Sequence, residues 1–410
     1  FLQSRYNVLT SRIICYAFCL PCCHLKVTAM TNALDCLDTP SLLLDRQKLK
    51  ANTRKLLHLL REKSDGVKLR PHCKGVKAPA LARLFLAEGG ETIEGICVAK
   101  TSEAEVMVAA GITDILITTE VIGKNKTDRL MKLAALCPDL KVVADSRALV
   151  ENLVSACKEA MLPQPLKVLV EINVGQNRTG VEPGEEALQL AQFISQMPEL
   201  KLVGLQGYEG HLQHLCPASE RERLCREAME KLTATTKLMR DHGLAPEIVT
   251  TGGTGTFLTC AAAEGVTEVQ PGSFALMDTA YTDALAGAYE NALTVMTTVL
   301  GVYRDRIVVD AGLKSLSTDM GFARPFKQLS AQGSEDGLPL AHLTYTPGGD
   351  EHGILKAGQD GTLPDLKPGD RLLLIPSHCD TTLNLYDTLY LSEPGQEVEA
   401  VPILARGKVQ

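Results

Sequence analysis

Between residues 67 and 270 the chain repeats one rhythm, a short β-type apolar run followed by a helical stretch. The runs are 67–73, 95–98, 114–118, 141–145, 166–173, 202–208, 247–251 and 267–270. The first seven each lead into a helical pattern, for example 102–110, 128–136, 146–158, 184–195 and 219–241. Eight strands alternating with helices predict an α/β fold, a parallel (β/α)8 barrel, with a doubly wound open sheet as the alternative. Ahead of the first run, 39–45 is a short apolar segment, and Leu49, Leu56, Leu57 and Leu60 fall at helical spacing.

After Tyr281 the rhythm changes. Stretches 293–302, 306–310, 371–375 and 397–403 read as strands joined by Gly/Pro/Asp-rich turns, and 338–368 reads as loop. This predicts a second, mainly antiparallel β domain over 283–410, sharing part of the leading segment, behind a barrel over 38–282. A chain of 410 residues, 45% hydrophobic and 22% charged, suffices for one large domain and a smaller one. A net charge of −7 without a basic block argues against a nucleic-acid partner. No apolar run is long enough to span a bilayer, so no membrane partner is expected.

Thirteen cysteines are scattered, and the one CxxC pair, Cys19 and Cys22, has no second pair to complete a zinc site. That pattern predicts reduced thiols and a cytoplasmic location. Residues 1–30 carry two arginines and no acid. They read as extra sequence ahead of Met30 and outside the fold, with a mitochondrial presequence as the alternative.

The stretch Arg70-Pro71-His72-Cys73-Lys74-Gly75-Val76-Lys77 places Lys74 where a strand gives way to a loop, the rim on which α/β folds carry chemistry. Burial there would lower the lysine pKa and leave a nucleophilic amine able to form a Schiff base. A solvated basic loop is the plainer reading of these eight residues alone. The run Gly252-Gly253-Thr254-Gly255-Thr256 follows the seventh strand and precedes a short helix, which suits either a phosphate cradle or an ordinary tight turn. Arg178 after the fifth strand suits a phenolate, carboxylate or phosphate, or is a surface arginine. Tyr208 and His211 follow the sixth strand and either face a ring or pack. On a continuing strand His378 and Asp380 would share one face, giving half a metal site with Zn²⁺, Mn²⁺ or Mg²⁺, or a hydrogen-bonded pair.

Taken in order from about residue 38 to the C-terminus, these motifs resemble the pyridoxal-phosphate enzymes that act on D-β-hydroxy amino acids. These are the eukaryotic D-serine dehydratases and the D-threonine aldolases, which share an alanine-racemase-like barrel. The resemblance implies that Lys74, not Lys77, carries pyridoxal 5'-phosphate and is catalytic. It implies that Gly252, Gly253, Thr254, Gly255 and Thr256 cradle the phosphate, and that Arg178 and Tyr208 lie beside the ring. It implies that His378 and Asp380 bind a divalent metal. Pro271–Asp278 with Tyr281, and Glu351-His352-Gly353, also match. Val76 departs from the pattern, since relatives often carry a histidine there.

The implied reaction is a metal-assisted lyase step on a small D-amino acid. D-serine dehydration to pyruvate and ammonia is the first expectation. D-threonine aldol cleavage and D-threo-3-hydroxyaspartate dehydration are the alternatives, and the His-x-Asp spelling favours the aldolase branch. A non-catalytic pyridoxal-phosphate carrier would lack the second domain, and an alanine racemase would not need His378 and Asp380. The resemblance further implies a homodimer in which the second domain of one chain closes the site of the other.

Overall fold

The computed structural model describes residues 33–329, 337–358 and 361–410, so the extra segment expected at 1–30 lies outside the described residues. After β1 (Ser41–Asp45) come eight parallel strands. They are β2 (Lys68–Leu69), β3 (Ile96–Val98), β4 (Ile115–Ile117), β5 (Lys141–Ala144), β6 (Leu166–Glu171), β7 (Leu200–Gly207), β8 (Ile248–Thr251) and β9 (Glu268–Val269). They pair in the order β2-β9-β8-β7-β6-β5-β4-β3, and a parallel bridge from His72 to Cys97 joins the two ends. That bridge closes the ring and rules out the open sheet, whose end strands would stay unpaired.

Side chains alternate along each strand, which splits the core in two. Cys97, Leu116, Val143, Leu169 and Val203 form a small cluster inside the barrel. Their neighbours, such as Ile96, Val98, Ile115, Ile117, Val168 and Val170, join the larger cluster under the helices. Towards the strands' N-terminal ends the barrel is filled by charge. Buried Arg70 reaches Glu268 at 2.9 Å and Asp114 at 2.6 Å, and Lys141 reaches Asp114 at 2.8 Å. Each buried charge is paired, as burial requires. Arg70 thus belongs to the barrel interior although it sits four residues from Lys74.

The second sheet contains β10 (Leu293–Val302), β11 (Ile307–Val309), β12 (Arg324–Gln328), β13 (Leu343–Pro347), β14 (Gly353–Ala357), β15 (Arg371–Ile375), β16 (Thr388–Ser392) and β17 (Glu399–Pro402). Its order is β13-β14-β11-β10-β1-β16-β17, with β15 also on β10 and β12 on β15. All pairs are antiparallel except β1 with β16. The N-terminal apolar segment therefore serves this sheet, between two strands from the far end of the chain. The stretch expected to be loop at 338–368 holds the hairpin β13–β14. Leu343, Tyr345 and Leu355 are buried while Thr344 is exposed, a period-2 pattern masked by the Gly and Pro residues around the turn. Among the described residues no helix is long and apolar enough to cross a membrane.

One connection fixes the site. The strand β15 stops at Ile375, and a short helix, Cys379–Leu383, begins at once with His378 as its N-cap. The continuing strand expected through His378 and Asp380 is not formed. Instead, the buried carboxylate of Asp278 accepts the N–H groups of Tyr281 and Cys379, both at 2.9 Å. Thr279 N–H donates to Pro376 O at 3.1 Å. These bonds dock the segment on the barrel rim beside Lys74.

Candidate active site

Lys74 lies in a single 3₁₀ turn, Cys73–Gly75, just past β2. Its N–H donates to His72 Nδ1 at 3.3 Å, so the ring's proton sits on Nε2, 3.0 Å from Thr118 Oγ1. Burial, then the charges of Lys74, Lys77 and Arg178, keep His72 well below the usual histidine pKa, so it is uncharged. Lys74 Nζ lies 3.8 Å from Asp380 Oδ2. The lowered lysine pKa expected from burial is reversed here. Burial does pull it down, but the negative field of Asp380, with Tyr208, outweighs that and raises it. Lys77 points elsewhere and pairs with Glu103.

Lys74 borders a cavity of about 310 Å³ at the strands' C-terminal ends, with Arg178, Tyr208 and Asp380 also in its lining. One end is formed by Gly253, Thr254, Gly272, Ser273 and Tyr281. The backbone N–H groups of Thr254, Gly272 and Ser273 have no acceptor among the described residues. A Cβ on Gly272 would lie 2.6 Å from His72 O, and one on Gly253 would lie 2.5 Å from Gln213 Oε1. Unpaired N–H groups on close-packed glycine backbone suit a phosphate.

Of the five residues read as the cradle, Gly253 and Thr254 face the cavity. The other three hold the loop from behind. Fully buried Glu209 takes Thr251 Oγ1 at 3.0 Å, Gly252 N–H at 3.3 Å, Gln213 Nε2 at 3.0 Å and Thr256 Oγ1 at 2.5 Å. Gly255 N–H goes to Gln213 Oε1 at 2.9 Å. Glu209 also lies within 4.8 Å of the thiols of Cys225 and Cys260. With four donors on its oxygens and the Cys260 thiol pushed far up by burial, this cluster is a scaffold.

The Arg178 guanidinium sits 5.8 Å from the centre of the Tyr208 ring. His211 is exposed and does not line the cavity. Thr179 Oγ1 and Gln206 Nε2 each donate to Glu171 at 3.0 Å. Burial, then the adjacent Glu120, pushes the Glu171 carboxyl up to about 8. Neither glutamate carries a spacing signal in the sequence.

His378 Nδ1 is 2.7 Å from Asp319 Oδ2, which leaves Nε2 as the nitrogen for a ligand. Asp319 lies 59 residues away and was not legible from spacing. Despite partial burial, hydrogen bonds from Ser317, His378 and Thr381 hold its pKa down at about 2. Asp380 Oδ1 is buried with no hydrogen-bond partner. An orphaned carboxylate oxygen beside a carboxylate-oriented imidazole fits a divalent cation. Gly75 makes room for it, since a Cβ there would lie 2.5 Å from Asp380 Oδ1. Cys379 turns away, and its buried thiol donates to Met277 O at 3.0 Å. A wider mouth past Asp319, Leu313, Leu385 and Val409 shares Lys74, Lys100 and Asp380 with the cavity.

Residues 44–280 match the family described as "Alanine racemase, N-terminal domain", and 292–392 match "Putative serine dehydratase domain". The chain is 39% identical to the D-threonine aldolase of Arthrobacter sp. over 90% of its own length and 93% of that protein. It is 34% identical to the 3-hydroxy-D-aspartate aldolase of Paracoccus denitrificans (strain Pd 1222), covering 91% and 93%. The crystal structure of D-threonine aldolase from Filomicrobium marinum superposes with a TM-score of 0.83 at 36% identity, covering 92% of this chain and 98% of that one.

Proposed function

We propose, from the premise that this chain belongs to the family of pyridoxal-phosphate-dependent D-hydroxy amino acid lyases built on an alanine-racemase-like barrel, that it is a metal-assisted aldolase. It cleaves the Cα–Cβ bond of D-3-hydroxy-α-amino acids. D-threonine would give glycine and acetaldehyde, and 3-hydroxy-D-aspartate would give glycine and glyoxylate. The observation that carries this reading is the orphaned Asp380 Oδ1, a hard oxygen donor facing the Lys74 rim beside His378.

Pyridoxal phosphate, when bound, supplies an electron sink for charge developing at Cα. Lys74 Nζ would hold it, and the N–H groups of Thr254, Gly272 and Ser273 would take its phosphate. Tyr208 and Arg178 would flank its ring. His378 Nε2 and Asp380 Oδ1 would hold a divalent metal, Zn²⁺, Mn²⁺ or Mg²⁺, as a Lewis acid for the substrate's β-hydroxyl. Asp319 fixes the tautomer and direction of the His378 ring.

D-serine dehydration, the first expectation from the sequence, is the second reading. The match of 292–392 to a serine dehydratase domain supports it. The hard ligand at Asp380 and the aldolase relatives favour carbon–carbon cleavage instead. Metal-loaded protein assayed separately for acetaldehyde from D-threonine, glyoxylate from 3-hydroxy-D-aspartate and pyruvate from D-serine discriminates the two. Pyruvate alone overturns the aldolase reading, and the absence of all three products overturns both.

We also propose a homodimer that covers the mouth. Leu313, Leu385 and Val409 line it and are exposed, an apolar rim suited to a second copy. The division near residue 282 and the cytoplasmic location remain part of this reading. The unbridged cysteines of the described residues agree with a reducing compartment.

A further inference from the structure

Two amides in the cavity lining are oriented by their neighbours. Gln206 Nε2 reaches Thr118 O at 3.3 Å and Glu171 Oε2 at 3.0 Å. A backbone carbonyl can only accept, so Gln206 must turn its NH2 group to that side and its Oε1 to the other. That Oε1 lies 3.1 Å from Gln270 Nε2, which also reaches Thr250 Oγ1 at 2.8 Å. Both amide hydrogens of Gln270 are thereby used. Its Oε1 has no protein donor among the described residues, on a 6% exposed side chain that lines the cavity.

The neighbours His72 and Thr118 are neutral and satisfied. His72 is uncharged and gives its Nε2 hydrogen to Thr118 Oγ1, whose own hydrogen goes to Val98 O at 3.2 Å. The cations in the lining are Lys74, Lys100 and Arg178, and none of them bonds to Gln206 or Gln270. The free oxygen of Gln270 therefore presents to the cavity an acceptor that a ligand's donor can satisfy.

We propose that Gln270 Oε1 accepts a hydrogen bond from the ring nitrogen of the bound cofactor, which is thereby held protonated. This rests on the proposed function above. A pyridoxal ring anchored through Lys74 and through the N–H groups of Gly272 and Ser273 has two polar ring positions left, the phenolic oxygen and the nitrogen. The guanidinium of Arg178 suits the phenolic oxygen. A neutral pyridine nitrogen facing Gln270 would set lone pair against lone pair, whereas a protonated one donates. Gln206 is a positioning residue, acting through Gln270. A protonated ring draws electrons more strongly than a neutral one, so this pair of amides sets the strength of the sink.

The test is spectroscopic. Protein loaded with ¹⁵N-labelled pyridoxal phosphate should show a protonated ring nitrogen by NMR at neutral pH, and Gln270→Leu should show an unprotonated one. The 1-deaza analogue, which has carbon in place of that nitrogen, should bind the native protein roughly ten- to a hundredfold more weakly than the natural cofactor. In Gln270→Leu that difference should vanish. An unprotonated nitrogen in the native protein, or equal binding of the two cofactors, overturns the inference and leaves the proposed function standing. Protein that takes up neither cofactor overturns the proposed function, and this inference with it.

Discussion

Asp278 Oδ2 accepts the backbone N–H of Cys379 at 2.9 Å, joining the barrel's last turn to the helix that carries Asp380. The other oxygen caps the helix Thr279–Ala284 through Tyr281. Both residues are buried, so neither bond is replaceable by water. Asp278→Ala should cost about 1–3 kcal/mol of stability in urea denaturation, because two buried N–H groups lose their acceptor. It should also weaken metal uptake, read by titration, because the ligand helix loses its anchor. Unchanged stability would mean the docking is held elsewhere.

Gly75 sets how close that helix comes. With Asp380 Oδ1 only 2.5 Å from where a Cβ would be, Gly75→Ala must displace the carboxylate. Metal affinity should fall roughly tenfold or more, as when a ligand's support is disturbed. Covalent cofactor fixation at Lys74 should persist. Native metal affinity in this variant would remove Asp380 from the metal site.

Borohydride reduction should fix the cofactor on Lys74, located by peptide mapping. Lys77 is committed to Glu103 and does not line the cavity. Lys74→Ala should lose the visible cofactor band and turnover together. A label on Lys77 would reverse the assignment.

Chelation and His378→Ala should both abolish lyase turnover while the cofactor band survives, because the phosphate and Lys74 contacts do not use the metal. Asp380→Cys swaps a hard ligand for a soft one and favours zinc. It should lose D-threonine cleavage and retain some D-serine elimination. Full turnover on both substrates after exhaustive chelation, with no metal by elemental analysis, would remove the metal from the mechanism.

Glu171 predicts a pH dependence of stability. Burial and Glu120, with Asp145 acting on Glu120, favour its protonated form, against the pull of Thr179, Gln206 and Arg178. Its carboxyl rises from the usual 4.5 to about 8. Across that window the folded protein keeps a proton the unfolded chain has released. Stability therefore falls as pH rises from about 4.5 to 8, by at most ~1.4 kcal/mol per unit. Glu171→Gln should flatten the slope, measured as urea midpoints at several pH values. An equal slope in both proteins would place the proton elsewhere.

The barrel was legible because its strands are short apolar runs separated by amphipathic helices, so local pattern and global fold agree. Lys74, Gly253 and Thr254 were legible for a related reason, as their neighbours in sequence are also their neighbours in the site. The geometry of His378 and Asp380 was not. A strand reading placed them on one face by alternation, but Asp278, more than a hundred residues earlier, draws Cys379 into a helical turn. Asp319, Glu209, Gln206 and Gln270 were silent for the same reason. Their roles depend on partners distant in the chain, such as His378 for Asp319, Thr256 for Glu209 and Gln206 for Gln270, and no local spacing encodes those hydrogen bonds. Sequence alone determined the alternating elements of the barrel and the residues able to do chemistry. The tertiary structure decided which atoms remain unpaired, and the Asp380 and Gln270 oxygens are where a metal and a cofactor would be held.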